Sequence, residues 1–240
     1  MLKSFKIMLL SLLLLGFIVG LKGQAKITKT ASPQLAPKKV LLINDFIRVN
    51  SKDTIYVQTI QFPLMTDNER VFVTKRISDY RSSKIKLFID AFYNRDRVQD
   101  QYFQDVSYSQ NWRCEIVYQS QTELSMQLFN YEFTGGAHGN TSVKNFNFDL
   151  KNLKSYTFND KFNRLDITKV AEYCTNYCVT NNIPIFEDAI KPSPQLLNIW
   201  NFTNQGLLLT FPQYTIAPYS SGLIQIHIPN EELKKMTLTK

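Results

Sequence analysis

Residues 143–150 alternate in character, with Phe146, Phe148 and Leu150 set against Asn145, Asn147 and Asp149. Side chains of an extended chain point to opposite faces in turn. The stretch therefore predicts a half-buried strand with one apolar and one wet face, of the kind found in antiparallel sheets. The sequence offers it neighbours. Cys114, Ile116 and Tyr118 alternate with Arg113 and Glu115, and Ser125 to Phe133 is a further β-prone run, so an antiparallel meander is expected across 113–150.

Upstream, Val40 to Val49 and Thr54 to Phe62 are rich in β-branched and aromatic residues and are separated by Asn50-Ser51-Lys52-Asp53, which predicts a hairpin. Pro63 ends the second strand. Thr66-Asp67-Asn68-Glu69 has the capping-box form. Val73, Ile77 and Tyr80, then Ile85, Phe88 and Phe92 after one slip in phase, follow at helical spacing. A long helix over about 67–93, with room for a break, is predicted. Residues 94–107 are ambiguous. A second helix is expected over about 166–180 behind the N-cap Asp166. Residues 182–194 hold three prolines and little periodicity. Strands are expected at Leu196 to Phe202, Leu207 to Phe211 and 223–228, where Ile224, Ile226 and Ile228 form one face and His227 the opposite, solvated one. Asn230, Glu231 and Glu232 then start a short terminal helix. Helices set between hairpins, not alternating strictly with strands, argue for an α+β fold: antiparallel sheets of hairpins packed with one long and one medium helix.

The N-terminus belongs to a different environment. Lys3 and Lys6 precede a nearly unbroken apolar run from Ile7 to Leu21, and Gly23-Gln24-Ala25 supplies small residues behind it. As a helix the run spans only ~22 Å at 1.5 Å per residue, short of the ~30 Å hydrocarbon core. Residues 1–25 therefore read as a secretory signal peptide, and an uncleaved anchor is the competing reading. No Cys follows the run, so a lipoprotein is not expected. Residues 26–39, polar and carrying two prolines, read as a flexible lead-in. One domain, 40–236, would follow, with 40–107 and 108–236 as its halves. The expected location is extracytoplasmic, periplasmic or secreted, with no membrane span after leader cleavage.

The formal net charge is +8, of which Lys3, Lys6 and Lys22 lie in the leader. The remainder is spread along the chain, where a nucleic-acid binder concentrates it in a stripe; no nucleic-acid partner is expected. The densest basic group, Lys75, Arg76, Arg81, Lys84 and Lys86 mixed with Asp79 and Asp90, reads as a solvated helix face, with weak attraction to anionic wall polymers or membrane as the alternative. There are three cysteines, Cys114, Cys174 and Cys178. An odd count leaves at least one thiol unpaired. Cys174 and Cys178 share an apolar helix face with Ile167, Val170 and Ala171, as small core hydrophobes do. A bridge within one helix is geometrically poor, while a bond from Cys114 to either stays open. With two histidines in the chain no metal site, cofactor or catalytic set is expected.

Two segments stand out as candidate sites. Thr134-Gly135-Gly136-Ala137-His138-Gly139-Asn140 places three glycines in five positions between two strands. That marks a sharp turn with positive φ, without the helix behind it that a phosphate loop needs. His138 serves either as a turn-stabilising group or as a general base with a nearby acid, for which Glu132 and Asp149 are near in sequence. Phe211-Pro212-Gln213-Tyr214-Thr215-Ile216-Ala217-Pro218-Tyr219-Ser220-Ser221-Gly222 pins an irregular loop carrying two tyrosines, suited to stacking on sugars or anchoring a protein, or to covering a core edge.

Tyr131 to Asn140 followed by Phe146-Asn147-Phe148-Asp149-Leu150 resembles the signature of the extracytoplasmic domain-of-unknown-function family found at the C-terminus of the lysozyme-sensing anti-sigma factor RsiV and, beside the catalytic part, in the peptidoglycan deacetylase PdaC. Gly206 and Leu207 through Phe211, Tyr214, Ala217-Pro218-Tyr219, Gly222 and Ile228-Pro229 resemble its C-terminal half, and 40–93 resembles the companion N-terminal region. The resemblance covers about 40–236 and implies an extracytoplasmic α+β domain with a sensing or accessory role. Six residues precede the apolar run and no polysaccharide deacetylase domain is evident, so neither anti-sigma activity nor deacetylation is expected to carry over. What the resemblance leaves is a capacity to bind cell-wall glycan (peptidoglycan) or a lysozyme-like protein as a non-catalytic module; the two loops read above are the expected surface, with Gly135, Gly136 and His138 in the turn and Tyr214 and Tyr219 as aromatic contacts. A hydrolase acting on wall or ester substrates through His138, and a structural envelope protein without a ligand, are the alternatives.

Overall fold

The computed structural model describes residues 42–49, 54–61, 66–94 and 107–238. The expected leader, the lead-in, the first hairpin's turn and the ambiguous segment before residue 107 lie outside these. Strands β1 (Leu42–Val49) and β2 (Thr54–Gln61) pair antiparallel. Helix α1 (Asp67–Tyr93) follows as one unbroken helix. Its capping box is formed: Glu69 N donates to Thr66 Oγ1 at 3.3 Å, and Thr66 N donates to Glu69 Oε2 at 2.8 Å. The meander comes next: β3 (Tyr108–Gln119), β4 (Glu123–Phe133), β5 (Asn140–Asp149) and the short β6 (Lys154–Ser155). All six strands form one antiparallel sheet in the order β2-β1-β3-β4-β5-β6.

One face of this sheet carries Trp112, Cys114, Leu124, Met126, Leu128, Phe146 and Phe148, and these pack with Val73 and Ile77 of α1. Phe88, Phe92 and Tyr108 continue the contact farther along the helix. The other face corrects the expectation of a wet surface, because Asn147 is 5% and Asp149 6% exposed. A second layer covers it. After α2 (Phe158–Phe162) and α3 (Ile167–Thr180), a 3-10 turn at Pro194–Asn198 leads to β7 (Trp200–Phe202), β8 (Gly206–Phe211) and β9 (Ile224–Pro229), an antiparallel three-stranded sheet. The seam between the two sheets is polar and carries a network of hydrogen bonds, with Asn201 Oδ1 the buried atom that finds no partner in it. Asn201 Nδ2 donates to Ser125 Oγ at 2.9 Å and Met126 O at 3.1 Å, Asn147 Nδ2 to Trp200 O at 2.9 Å, Gln127 Nε2 to Thr210 Oγ1 at 2.6 Å and Gln225 Nε2 to Gln127 Oε1 at 3.0 Å. Buried polar groups are tolerated when paired in this way.

The opposite face of the small sheet is apolar. Leu207, Leu209, Ile226 and Ile228 share a core with Val170, Ala171, Cys174 and Cys178 of α3. Asp166 caps that helix through Thr168 N at 3.0 Å. α4 (Asn230–Lys235) closes the described chain. The layers thus run α1, six-stranded sheet, three-stranded sheet, α3, an α+β architecture.

Three further sequence expectations are corrected. Tyr118 does not share a face with Cys114 and Ile116, because the register shifts between Ile116 and Tyr118 and the ring packs against the second core. The strand expected from Leu196 begins only at Trp200, the stretch before it being 3-10 turn. Arg81 is not on a solvated face: it is 5% exposed, with its guanidinium 5.8 Å from the Trp112 ring centroid. The three cysteines are free thiols, buried in two different cores.

Candidate functional site

The turn between β4 and β5 is built by its glycines, each for its own reason. Gly135 and Gly136 have φ of +92° and +89°, a region that side chains with a Cβ avoid. Gly139 has no such φ, but a Cβ there would lie 2.4 Å from Glu132 O and 2.5 Å from Tyr131 Cζ, so the returning strand passes too close for any larger residue. His138 is thereby held out at the surface. Its Nδ1 lies 3.0 Å from Gly139 O, and since a carbonyl only accepts, the proton sits on Nδ1. Nε2 then faces the Tyr214 hydroxyl at 3.5 Å.

The second loop comes to meet it. Ile216 and Ala217 are buried and anchor the loop in the second core, and Phe186 N donates to Ile216 O at 2.9 Å. Thr215 Oγ1 closes the turn on Pro212 O at 2.6 Å. Gln213 Oε1 accepts from Thr141 N at 2.8 Å, tying this loop to the start of β5. Tyr214 stands at φ +64° and is 53% exposed. A bulky residue with that backbone is uncommon and collects at ligand-binding positions. Tyr219 begins the 3-10 turn Tyr219–Ser221 and stacks on His138, with centroids 3.8 Å apart and planes 18° from parallel. Tyr214 leans on the same pair, 5.5 Å from Tyr219 and 6.4 Å from His138.

The five sequence-selected residues are therefore together: Gly135 and Gly136 shape the turn, and His138, Tyr214 and Tyr219 form one aromatic cluster. The acids that sequence proximity offered to His138 are elsewhere. Glu132 Oε1 accepts from Gln110 Nε2 at 2.7 Å and Asn130 Nδ2 at 2.6 Å. Asp149 pairs with Glu123, nine rungs from the Glu132–Asn140 pair and so roughly 30 Å away along the strand. It holds Asn152 at 3.0 and 2.7 Å. Burial pushes its carboxyl up, yet the Asn152 hydrogen bonds and Lys154 prevail and hold it below the usual carboxylate range. His227, expected in solvent, is half-buried with Nε2 3.1 Å from Thr203 Oγ1. Among the described residues no three of His, Cys, Asp and Glu converge as a metal site would require, and no helix is long and apolar enough to cross a membrane.

Sequence reasoning missed Gln213, a polar residue whose role depends on a strand 72 positions away. It also missed β6 and α2, although Thr157-Phe158-Asn159-Asp160 has capping-box form and makes both bonds, Thr157 N to Asp160 Oδ2 at 2.7 Å and Asp160 N to Thr157 Oγ1 at 3.3 Å.

Comparison with known proteins divides the chain in two. Residues 49–141 match the family model described as deacetylase PdaC. Residues 158–231 match that of the protein of unknown function DUF3298. The C-terminal part of this chain is thus similar to the DUF3298 family. Solved DUF3298 proteins share its fold. One from Bacteroides fragilis is 18% identical, with a TM-score of 0.54 over 82% of this chain and 94% of that one. One from Pseudomonas aeruginosa is 16% identical, with a TM-score of 0.51 over 84% and 96%. No curated protein sequence matches the chain. The DUF3298 segment carries Tyr214 and Tyr219, while His138 lies near the end of the PdaC segment. The aromatic cluster is thus assembled from both.

Proposed function

We propose that this chain is an extracytoplasmic, non-catalytic module that binds cell-wall glycan through the face formed by His138, Tyr214 and Tyr219. The observation that carries this reading is the stack itself: three rings from two loops, one of them half exposed on a strained backbone. Flat rings held rigid by Gln213 and the glycine turn lose little entropy when a sugar ring or an apolar anchor covers them. The apolar run Ile7 to Leu21 supports export, and the positive charge that remains once Lys3, Lys6 and Lys22 leave with the leader supports an anionic surrounding such as wall polymer. A lysozyme-like protein is the other ligand this face suits, since exposed tyrosines on rigid loops are common anchors at protein interfaces.

The hydrolytic reading through His138 lacks an orienting acid, because the ring's nitrogens face Gly139 O and the Tyr214 hydroxyl. A purely structural role calls for these rings to be buried and apart, and they are neither.

Two assays test the proposal on the processed chain: co-sedimentation with purified peptidoglycan and calorimetric titration with lysozyme. Retention on peptidoglycan that falls about tenfold or more in the Tyr214→Ala, Tyr219→Ala double variant is the expected result. Heat with lysozyme and no retention would move the ligand from glycan to protein. Neither retention nor heat would sink the reading.

A further inference from the structure

The densest basic group of the sequence is sorted by the fold in an uneven way. Lys75 pairs with Asp79 at 3.1 Å and Lys86 with Asp90. Arg81 is buried beside Trp112. That leaves Arg76 and Lys84, each four residues from Tyr80 on α1 and so on the same side of the helix as its ring. Lys84 Nζ is 5.9 Å from the Tyr80 centroid. A third cation comes from the neighbouring sheet, with Lys144 Nζ 5.8 Å from the same ring. Among the described residues none of these three is ion-paired with a carboxylate.

Beside them lies a cleft of about 530 Å³ between α1, β5, the segment 155–159 and the 3-10 turn before β7. Its lining includes Arg76 and Lys144 and contains no Asp or Glu. Tyr80, Tyr156 and Trp200 supply aromatic surface, and Asn145 and Asn159 supply amides. The acids nearby are already engaged: Glu123 accepts from the Tyr156 hydroxyl at 2.9 Å and from Lys161, and Glu132 is held by Gln110 and Asn130. The volume lies within the ~300–1,000 Å³ range of small-molecule sites. Uncompensated cations at the mouth, aromatic surface and side-chain amides together describe one ligand chemistry.

We infer that this cleft binds an acidic saccharide, its carboxylate between Arg76 and Lys144, its ring against Tyr80 and Tyr156, and its hydroxyls on the amides. Arg offers the planar fork that a carboxylate fills and Lys a point charge. None of His138, Tyr214 and Tyr219 lines the cleft, so the two sites stand or fall separately.

Calorimetric titration of the full chain with methyl β-glucuronide and with methyl β-glucoside tests the inference. The glucuronide is expected to bind at least about tenfold more tightly, the worth of one charge-assisted hydrogen bond. That preference is expected to vanish in the Arg76→Ala, Lys144→Ala double variant and to survive in Tyr214→Ala. Both substituted cations are exposed, so thermal melting of the double variant should match the parent. Equal affinity for the two glycosides, no measurable glucuronide binding, or an unchanged preference in the double variant would overturn the inference. So would inorganic phosphate displacing the glucuronide at equal concentration, which would mark a generic anion site.

Discussion

Burial acts on the three cysteines in one direction. It pushes the thiols of Cys114 and Cys174 up to about 12 and raises that of Cys178, because a thiolate loses its hydration in an apolar core. The thiolate is the reactive form. All three thiols should therefore resist an aromatic disulfide reagent at about pH 8 in the folded protein and react fully in concentrated guanidinium; rapid labelling of any one in the native state would contradict their placement. The turn glycines separate two physical causes that sequence alone merges. Gly136 faces open space and needs only its positive φ, so Gly136→Ala should cost about 1 kcal/mol. Gly139→Ala meets the Glu132 carbonyl, which cannot move aside without breaking the β4–β5 ladder, and should cost about 2 kcal/mol or more. Urea unfolding of the two variants gives the order directly.

At the scale of elements, what was legible depended on whether a signal was local. α1 was readable from Thr66, Glu69 and its apolar spacing because cap and period both lie within the helix. β5 was readable as a strand, but its polar face was assigned to water. Asn145, Asn147 and Asp149 carry no mark that distinguishes a solvated amide from one that meets Asn201 or Trp200 across a seam. The bulge between Ile116 and Tyr118 is hidden for a related reason, since a period of two continues past one extra residue with no change in composition. The seam makes its own prediction. Asn201→Ala removes the donor shared by Ser125 Oγ and Met126 O inside a buried network, and should destabilise by about 2–3 kcal/mol. The exposed neighbour Asn204→Ala should change stability by no more than about 0.5 kcal/mol. Equal effects in urea unfolding would mean that the two sheets do not meet as described.

For the whole molecule, the candidate face exists only because two segments fold onto each other. The turn around His138 belongs to the stretch that matches PdaC, and Tyr214 with Tyr219 to the DUF3298 stretch. Their composition made each loop noticeable by itself: three glycines around a histidine in one, two prolines around two tyrosines in the other. That they stack at 3.8 Å was not legible, because Gln213 and Thr141 join them across the fold. The chain has two histidines, and the second, His227 on β9, is hydrogen-bonded to Thr203. It is a built-in reference for the most direct test of the proposed face, titration of the labelled protein with soluble peptidoglycan fragments while the imidazole resonances are followed by NMR. A saturable shift of the His138 signal, with that of His227 unmoved and the response lost in Tyr219→Leu, is the predicted result. A His138 signal that stays fixed throughout, or that moves no more than that of His227, would contradict it.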